Sequence, residues 1–529
     1  MTPENTLSIY GSHDASVTFI DKFKQLRIYE YERFIKKRFA MFSSSFDHRN
    51  DYGSNQNERI NFIKLIKKNL LNQNIESILY SELNTNDINL LLEYFPNASF
   101  KKIGHHFAHA CSGYYSSKFD DAIIFSIDGG GTDNNSVATT KIYKGTLNNI
   151  TELPCDNSLD FGNPYSATGF PISEIKPGAE GPTSQHSLAY AGKVMGLCAY
   201  GRVIDEWIVP FNTYYDQNNL SELCHAISIP YSFNSIKEED SYNLAATSQY
   251  TFEKKLNNLI VPYVLKYNTN IVLVGGCALN VLYNQKLFEL LQEKGLNIYV
   301  PPNPNDCGQS YGMYLSEFPE YGKKEMVYNG LEILDFDKIN DYISKYNHED
   351  FTYEKIVDYL KEGKIIGIIN DNSEVGPRAL GNRSIICDPS FPEMKDILNS
   401  KVKFREWYRP FAPVCRLEDK DLYFSNSCES KYMSYAPKVK SEYENQLKSI
   451  VHIDKSTRLQ TTTSEQHTLF NGILLELKKR KEIPVILNTS FNIKGFPILT
   501  TLEDAFSVLN NTELDLIVTN SMIFKKTLK

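Results

Sequence analysis

Missing from this chain of 529 residues are any run of eighteen apolar residues, an apolar leader at its start and a lipidation signal in its closing Phe-Lys-Lys-Thr-Leu-Lys. These absences exclude a membrane-spanning helix and predict a cytoplasmic protein with no membrane partner. Nine cysteines are scattered without a Cys-x-x-Cys pair, which excludes a zinc ribbon and fits reduced thiols acting as small core residues. Positive charge is not in surplus: 56 Lys and Arg stand against 64 Asp and Glu, a net of −8. That balance argues against broad nucleic-acid binding, although it leaves room for a local basic groove. No internal sequence repeat and no long low-complexity tract is evident.

What the chain does contain is a concentration of chemistry between His105 and Asp133. His105 and His109 are four residues apart, so on a helix they share one face, as two ligands of one ion require. His106 points elsewhere, and no Glu follows the first His, which excludes the zinc-protease motif. The apolar run 122–127 reads as a buried strand delivering Asp128, a third candidate ligand, to a glycine turn at Gly129, Gly130 and Gly131. Free N–H groups in such a turn can approach a phosphate. A second strand, 271–274, meets the pair Gly275 and Gly276 before a helix beginning near Asn280, another phosphate- or nucleoside-facing turn. A third strand end sets Asp306 in a proline-bounded loop ahead of a helix, where it is the natural fourth ligand. The opening strand, from Thr6, breaks into Gly-Ser-His-Asp-Ala-Ser and turns His13 and Asp14 toward a ligand cleft. The competing structural reading is a capped helix packed beside a tight turn.

Length predicts more than one domain. Strand and helix patterns alternate to about residue 320, the chain turns polar over 320–350, and periodicity resumes at Tyr353. The boundary therefore falls between a first domain, 1–345, and a second, 350–529. In the second, Arg378, Arg383, Lys403, Arg405, Arg409 and Arg458 lie near turns or apolar segments rather than in solvated charge runs. Guanidinium forks bind phosphates and carboxylates bidentately, so the set suits a phosphorylated substrate together with a triphosphate. Ion pairing with Glu374, Glu406 and Asp454 is the structural alternative. After a strand at 483–487, a turn of Asn488, Thr489, Ser490, Phe491 and Asn492 offers amide and hydroxyl groups, which are also ordinary turn residues. The segment 22–39 interleaves cations and aromatics like a nucleic-acid platform, but a strand and helix with a solvated basic face explains it better.

Taken together the motifs resemble the NodU/CmcH family of O-carbamoyltransferases over nearly the whole chain. The matching segments are Gly11-Ser-His-Asp-Ala-Ser16, Glu30-Tyr-Glu-Arg-Phe34, His105-His-Phe-Ala-His-Ala110, Asp128-Gly-Gly-Gly131, Gly192-Lys-Val-Met-Gly-Leu197, Gly275-Gly-Cys-Ala-Leu-Asn280, Gly376 to Ser384, Arg405 to Pro413 and Asn488 to Asn492. The resemblance implies an α/β protein with an actin-like ATPase lobe, a duplicated ribonuclease H-like fold, joined to a C-terminal YrdC-like α/β domain. Lys403-Phe-Arg405 and Ser490-Phe-Asn492 look like that domain's K-x-R and S-x-N signatures. It further implies that carbamoyl phosphate and ATP, with Mg, yield carbamoyl-adenylate in the second domain. Transfer to an acceptor hydroxyl then takes place in the first. By the same resemblance His105, His109, Asp128 and Asp306 hold a divalent metal, Fe(II) by family precedent, with Mn or Zn chemically suitable. Gly275, Gly276 and Asn280 line the nucleotide, and His13 or Asp14 is the acceptor's base, unless a helix-capping Asp beside a buried His accounts for them. The acceptor is expected to be a small molecule of antibiotic, sugar or nucleoside type; a hydroxymethylated base in DNA is the alternative, and the acidic net charge favours the former. An actin-like nucleotide-binding regulator without transfer activity is the other alternative, which would leave the cations of the second domain unexplained. A homodimer is left open as an assembly. One departure is Phe496, where the family commonly carries an acid. A second is the Gly-, Pro- and Ser-rich stretch Leu159 to His186, which matches no family motif and suits acceptor specificity.

Overall fold

A computed structural model describes residues 2–47, 52–133, 136–175 and 186–526. Two five-stranded sheets and one eight-stranded sheet account for most of the strands. The first sheet is built from β1 (Thr6–Tyr10), β2 (Ser16–Ile20), β3 (Leu26–Glu30), β4 (Ser77–Ser81) and β5 (Ser99–Lys102), in the order β3-β2-β1-β4-β5. The second uses β6 (Asp121–Asp133), β7 (Ser136–Thr146), β8 (Asn149–Leu153), β9 (Asn270–Val274) and β10 (Ile298–Tyr299), in the order β10-β9-β6-β7-β8. The two repeat one topology. In each, the first three strands form an antiparallel meander, and the fourth and fifth are added in parallel on the other side of the first. The duplication is a repeat of topology that the sequence does not display.

Helices His105–Ser117 and Gln309–Glu317 pack against each other between these sheets, the former on β6, β7 and β9, the latter on β1, β2 and β4. Small polar residues allow the second contact: Ser310 Oγ lies 2.8 Å from Ser16 Oγ and 2.9 Å from Thr18 Oγ1. On the far side of the second sheet, helices His186–Leu197, Asp205–Gln217 and Glu239–Tyr267 cover a core that includes Phe125, Ile127, Leu244 and Leu273.

The eight-stranded sheet draws all its strands from 348–525, in the spatial order His348–Asp350, Met522–Lys525, Leu516–Val518, Ile366–Ile369, Arg383–Cys387, Val485–Ser490, Ala412–Arg416 and Gln460–Thr462. Both faces are covered. Ile366, Ile368, Ile386, Val414 and Ile486 face helices Tyr353–Lys361 and Thr468–Lys479, while Ile369, Ile385, Cys387, Cys415 and Leu487 face the other core. This is the period-two alternation that a strand imposes. The 22–39 segment is indeed a strand and a helix, β3 followed by Tyr31–Ile35. Its helix reaches the loop that carries Glu374 and Gly376: the buried Arg33 pairs with Glu30 and donates to the backbone carbonyls of Glu374 (2.5 Å) and Gly376 (2.6 Å), and the Gly376 N–H donates to Glu30 Oε1 at 2.5 Å. Of the stretch 159–186, a short helix, Gly162–Ala167, lies within the described residues, whereas 176–185 lie outside them.

Candidate functional site

Helix His105–Ser117 presents His105 and His109 from one face, their rings 4.8 Å apart. Asp128 comes from β6 and Asp306 from the short 3-10 turn Asp306–Gly308. One ligand atom from each of the four lies within 4.8 Å of all the others. His109 Nε2 stands 3.0 Å from Asp128 Oδ2 and 3.2 Å from Asp306 Oδ1, and His105 Nε2 stands 3.5 Å from the same Asp306 oxygen. The remaining carboxylate valences are held by the protein. Asp128 accepts the N–H of Gly129 on Oδ1 (2.6 Å) and that of Gly276 on Oδ2 (3.1 Å). Asp306 Oδ2 accepts the Tyr10 hydroxyl at 2.5 Å and lies 3.3 Å from His13 Nε2, so its Oδ1 is left facing the histidines.

This arrangement fits a cation. Among the described residues His105 makes no hydrogen bond through either ring nitrogen and His109 none through Nδ1, although both are 1% exposed. Buried polar atoms without partners are costly, and two imidazoles with two carboxylates form a donor set for iron(II), manganese or zinc. Burial opposes charge here, yet the carboxylates win. Burial lowers the pKa of His109, but hydrogen bonds and charge from Asp128 and Asp306 raise it to about 9. Burial likewise raises Asp128, but His105 and His109 hold it well below the carboxylate range. His106 is a different case: it bonds Ser126 Oγ (2.8 Å) and the Ala138 carbonyl (2.9 Å), and burial, then the charge of His105, pushes it down to about 4. It stays neutral and ties the helix to the sheet.

Three sequence expectations need correction. Gly129, Gly130 and Gly131 do not form a turn that closes the strand; β6 runs on to Asp133 through a bulge, with the register against β7 shifting between Ile127 and Gly131. The bulge re-aims Asp128, and at Gly131 a Cβ would come within 2.1 Å of the His105 ring, so only glycine lets the helix approach. Nor does the strand ahead of Ser490 end at 487. It spans Val485–Ser490, which buries Asn488 with its side chain donating to the Ala379 carbonyl and to Gln460. Arg383 is also removed from ligand duty. It is fully buried, and its terminal nitrogens donate to the backbone carbonyls of Asn370, Leu331, Asp371 and Asn382. Gly275, at φ +86°, has its Cβ position 2.2 Å from the Ile127 carbonyl, so the Gly275–Gly276 turn is pressed onto β6. Asn280 caps helix Val281–Gln292 by accepting the Tyr283 N–H and shares hydrogen bonds with Gln249. Gln249 lines a cavity of about 490 Å³ that also includes Glu253, Gln285 and, from the second domain, Asp454.

The other expected residues lie between Arg378 and Asn492. Lys403 follows the π-helical turn Leu398–Val402, and its ammonium reaches Ser490 (backbone and Oγ, the latter at 3.2 Å) and Asn492 (backbone at 2.7 Å, Oδ1 at 2.5 Å). The K-x-R and S-x-N segments therefore meet through one buried lysine. Arg405 donates to Asn399 Oδ1 at 2.7 Å and stacks over Phe411. Arg378, Arg405 and Arg458 have no carboxylate within 4.0 Å among the described residues, and Arg409 reaches only Glu406, at 3.7 Å. The positive charges repel each other. Burial, then Arg409 and Arg38, pushes Arg378 down to about 10; burial, then Arg378, Arg405 and Arg409, pushes Arg458 well below its ordinary value. Glu374, offered as an ion-pair partner, instead accepts the N–H groups of Leu380, Gly381, Asn382 and Arg383. Glu406 carries Lys193 and Lys494, each at 3.2 Å. Although burial raises its carboxyl, the charges of Lys193 and Arg409 hold it at about 2.

Residues 25–315 match the description Carbamoyltransferase N-terminus and residues 357–526 match Carbamoyltransferase C-terminus. The chain belongs to the carbamoyltransferase family. The family supports carbamoyl transfer as the general activity. Nodulation protein NolO of Bradyrhizobium diazoefficiens is 28% identical over 80% of this carbamoyltransferase and 79% of its own length. Nodulation protein U of Sinorhizobium fredii is 29% identical over 63% of each chain. Among solved structures, full-length HypF in a phosphate- and nucleotide-bound form aligns with a TM-score of 0.35 at 14% identity, covering 59% of this chain and 55% of its own. That likeness is too slight to argue from. No helix among the described residues is long and apolar enough to cross a membrane.

Sequence reasoning passed over four participants. Tyr10, one residue before the expected turn, reads as a plain core aromatic. Lys193 and Arg33 lie inside matched motifs, but nothing in sequence says that they reach the second domain. Arg38 lies in the segment read as a solvated basic face.

Proposed function

We propose that the chain is an ATP-dependent O-carbamoyltransferase with an actin-like, duplicated ribonuclease H-like domain (1–345) and a YrdC-like domain (350–529). In support, the two five-stranded sheets share one strand order and one pattern of pairing. The observation that carries the reading is the convergence of Arg378, Arg405, Arg409, Arg458 and Lys403 with Glu406 as the one carboxylate in ion-pair contact among the described residues. So much uncompensated positive charge is stable only with anions present, and carbamoyl phosphate with Mg–ATP supplies them. Carbamoyl phosphate loses inorganic phosphate to water, and the resulting carbamate oxygen attacks the α-phosphorus of ATP. Pyrophosphate leaves and carbamoyl-adenylate remains. The arginines take up the charge that develops on the transferred and leaving phosphates, while Ser490 and Asn492 hold Lys403 at the edge of the set.

In the first domain His105, His109, Asp128 and Asp306 would hold the divalent ion, which supplies Lewis acidity toward a phosphate oxygen of the adenylate. The chain's own residues do the rest. Gly275, Gly276 and Asn280 shape the nucleotide's floor. Burial opposes the charge of His13, but Asp306 and Asp14, 3.3 Å away each, raise its pKa to about 10, so the ring is already protonated and the neighbouring Asp14 takes the proton of the acceptor hydroxyl as that oxygen attacks the carbamoyl carbon. AMP leaves. We take the acceptor to be a small molecule bearing a hydroxyl.

The test is a mass-spectrometric assay of purified protein with ATP, Mg, iron(II) and carbamoyl phosphate. The expected result is carbamoyl-phosphate-dependent conversion of ATP to AMP and pyrophosphate; its absence with and without hydroxyl acceptors overturns the reading in favour of a non-transferring nucleotide-binding protein.

A further inference from the structure

Arg38 belongs to the first domain by sequence, yet its surroundings belong to both sites. It lies in a strap, residues 36–43, that follows helix Tyr31–Ile35. One side of the strap is fixed to the turn carrying His13 and Asp14: the Ala15 N–H donates to the Ala40 carbonyl at 3.2 Å, and the N–H groups of Phe42 and Ser43 both donate to the Gly11 carbonyl, at 3.0 and 2.9 Å. Its other end is held through the preceding helix, where Arg33 grips the carbonyls of Glu374 and Gly376, two residues before Arg378. The Phe39 N–H, accepted by Glu32 Oε2 at 2.8 Å, fixes the bend immediately after Arg38. The strap thus stands where the metal-side turn and the arginine-bearing loop come together.

The Arg38 guanidinium packs over the Phe39 ring at 4.6 Å, with no carboxylate within 4.0 Å among the described residues. Its charge is felt on both sides. Desolvation by the surrounding protein lowers its pKa, Glu32 and Asp14 oppose the shift, and the like charge of Arg409 adds to it; in turn Arg38 depresses Arg378 and Lys403 after their own burial and the other arginines have done so. Its backbone is pinned at two places that prevent the strap from drifting away, and the most economical reason for a cation there is an anion shared with the second domain.

We infer that Arg38 is a phosphate-binding residue contributed by the first domain to the anion site of the second, so that the site is complete only when the two domains are docked through the Arg33–Gly376 contact. The ligand it takes is a phosphate or pyrophosphate group of the adenylate-forming reaction. The inference rests on the function proposed above as regards the reaction, but the binding itself can be measured without turnover.

The experiment titrates the full-length, iron-loaded protein with inorganic pyrophosphate by calorimetry. Alongside, it measures carbamoyl-phosphate-dependent exchange of labelled pyrophosphate into ATP, for the parent, Arg38→Ala and Arg38→Lys. For Arg38→Ala, pyrophosphate affinity is expected to fall about tenfold or more and the carbamoyl phosphate concentration for half-maximal exchange to rise by a similar factor, with iron content unchanged. Arg38→Lys, which keeps the charge but loses the fork, should recover part of the affinity. Unchanged pyrophosphate affinity in Arg38→Ala overturns the inference, whatever the exchange assay shows. Failure of the parent to exchange, with its pyrophosphate binding still dependent on Arg38, overturns the adenylate reading and leaves the anion site standing.

Discussion

The two clusters of charged residues are built on opposite principles. At the His105–His109–Asp128–Asp306 centre, carboxylates and imidazoles alternate within 4.8 Å, and every carboxylate oxygen turned away from the histidines is held by a backbone N–H, a tyrosine hydroxyl or His13. Around Arg405 the charges are almost all of one sign, and Glu406 is the one carboxylate paired to the set among the described residues. Four ligands pointing inward with satisfied outer valences are a rigid receptor for a small cation, since their orientation is decided before it arrives. Unpaired guanidiniums are a receptor for anions that come and go, and their repulsion is relieved only while one is bound. The first cluster suits a resident ion and the second suits a substrate.

Substitutions in one cluster should therefore leave the other's half of the chemistry intact. The largest expected effect is at His109. His109→Ala should lose the bound ion and lower carbamoyl transfer roughly a thousandfold, the several kcal/mol a Lewis acid contributes, while pyrophosphate exchange continues. Metal analysis and exchange on one preparation test this, and full transfer by the variant would sink the metal assignment. Arg405→Ala should abolish exchange and transfer together while keeping the ion.

Next in size, Arg458→Ala should raise the carbamoyl phosphate concentration for half-maximal exchange by about ten- to a hundredfold, as loss of a charge-assisted contact does; a change in maximal rate alone would place Arg458 outside the phosphate site. Tyr10→Phe sharpens the comparison from the other side. Losing one orienting hydrogen bond to Asp306 should weaken metal affinity by about ten- to a hundredfold with exchange untouched, as outer partners of metal ligands typically do, and a competitive chelator titration measures it.

The smallest effect concerns stability and lies outside both clusters. His467 accepts the Phe470 N–H on Nδ1 at 3.1 Å, and its Nε2–H donates to Asn382 Oδ1 at 3.1 Å, so the neutral ring caps helix Thr468–Lys479. Burial pushes its pKa from 6.5 down to about 4. The unfolded chain takes up that proton first as pH falls, so stability should decline between about pH 6.5 and pH 4, by about 3 kcal/mol for this group, and level off below. His467→Gln should flatten that part of the pH–stability curve measured by chemical denaturation; an unaltered slope would mean that His467 protonates as freely folded as unfolded.

Much of the candidate metal centre is legible because its signals are local. The four-residue spacing of the histidines, the apolar strand ahead of Asp128 and the prolines before Asp306 each report on a few neighbouring residues, and the structure assembles these four residues in one place. The glycine run reads as a turn in sequence because a bulge and a turn demand the same residue; pairing with β7, which no local pattern specifies, decides between them. Arg383 and Asn488 were counted with the ligand-binding residues because a buried arginine that holds backbone carbonyls and one that awaits phosphate look alike in sequence.

By itself the sequence determined the alternation of strands and helices and the identity of the candidate ligands, because period, spacing and turn residues act over one or two turns of chain. Tertiary structure decided what depends on residues far apart. It made the two unrelated-looking stretches 6–102 and 121–299 into copies of one topology, turned Tyr10 onto Asp306 and set Arg38 within the field of Arg409. Sheet order and the contact of two domains are set by burial and pairing across hundreds of residues, and such long-range terms leave no periodic trace in the sequence.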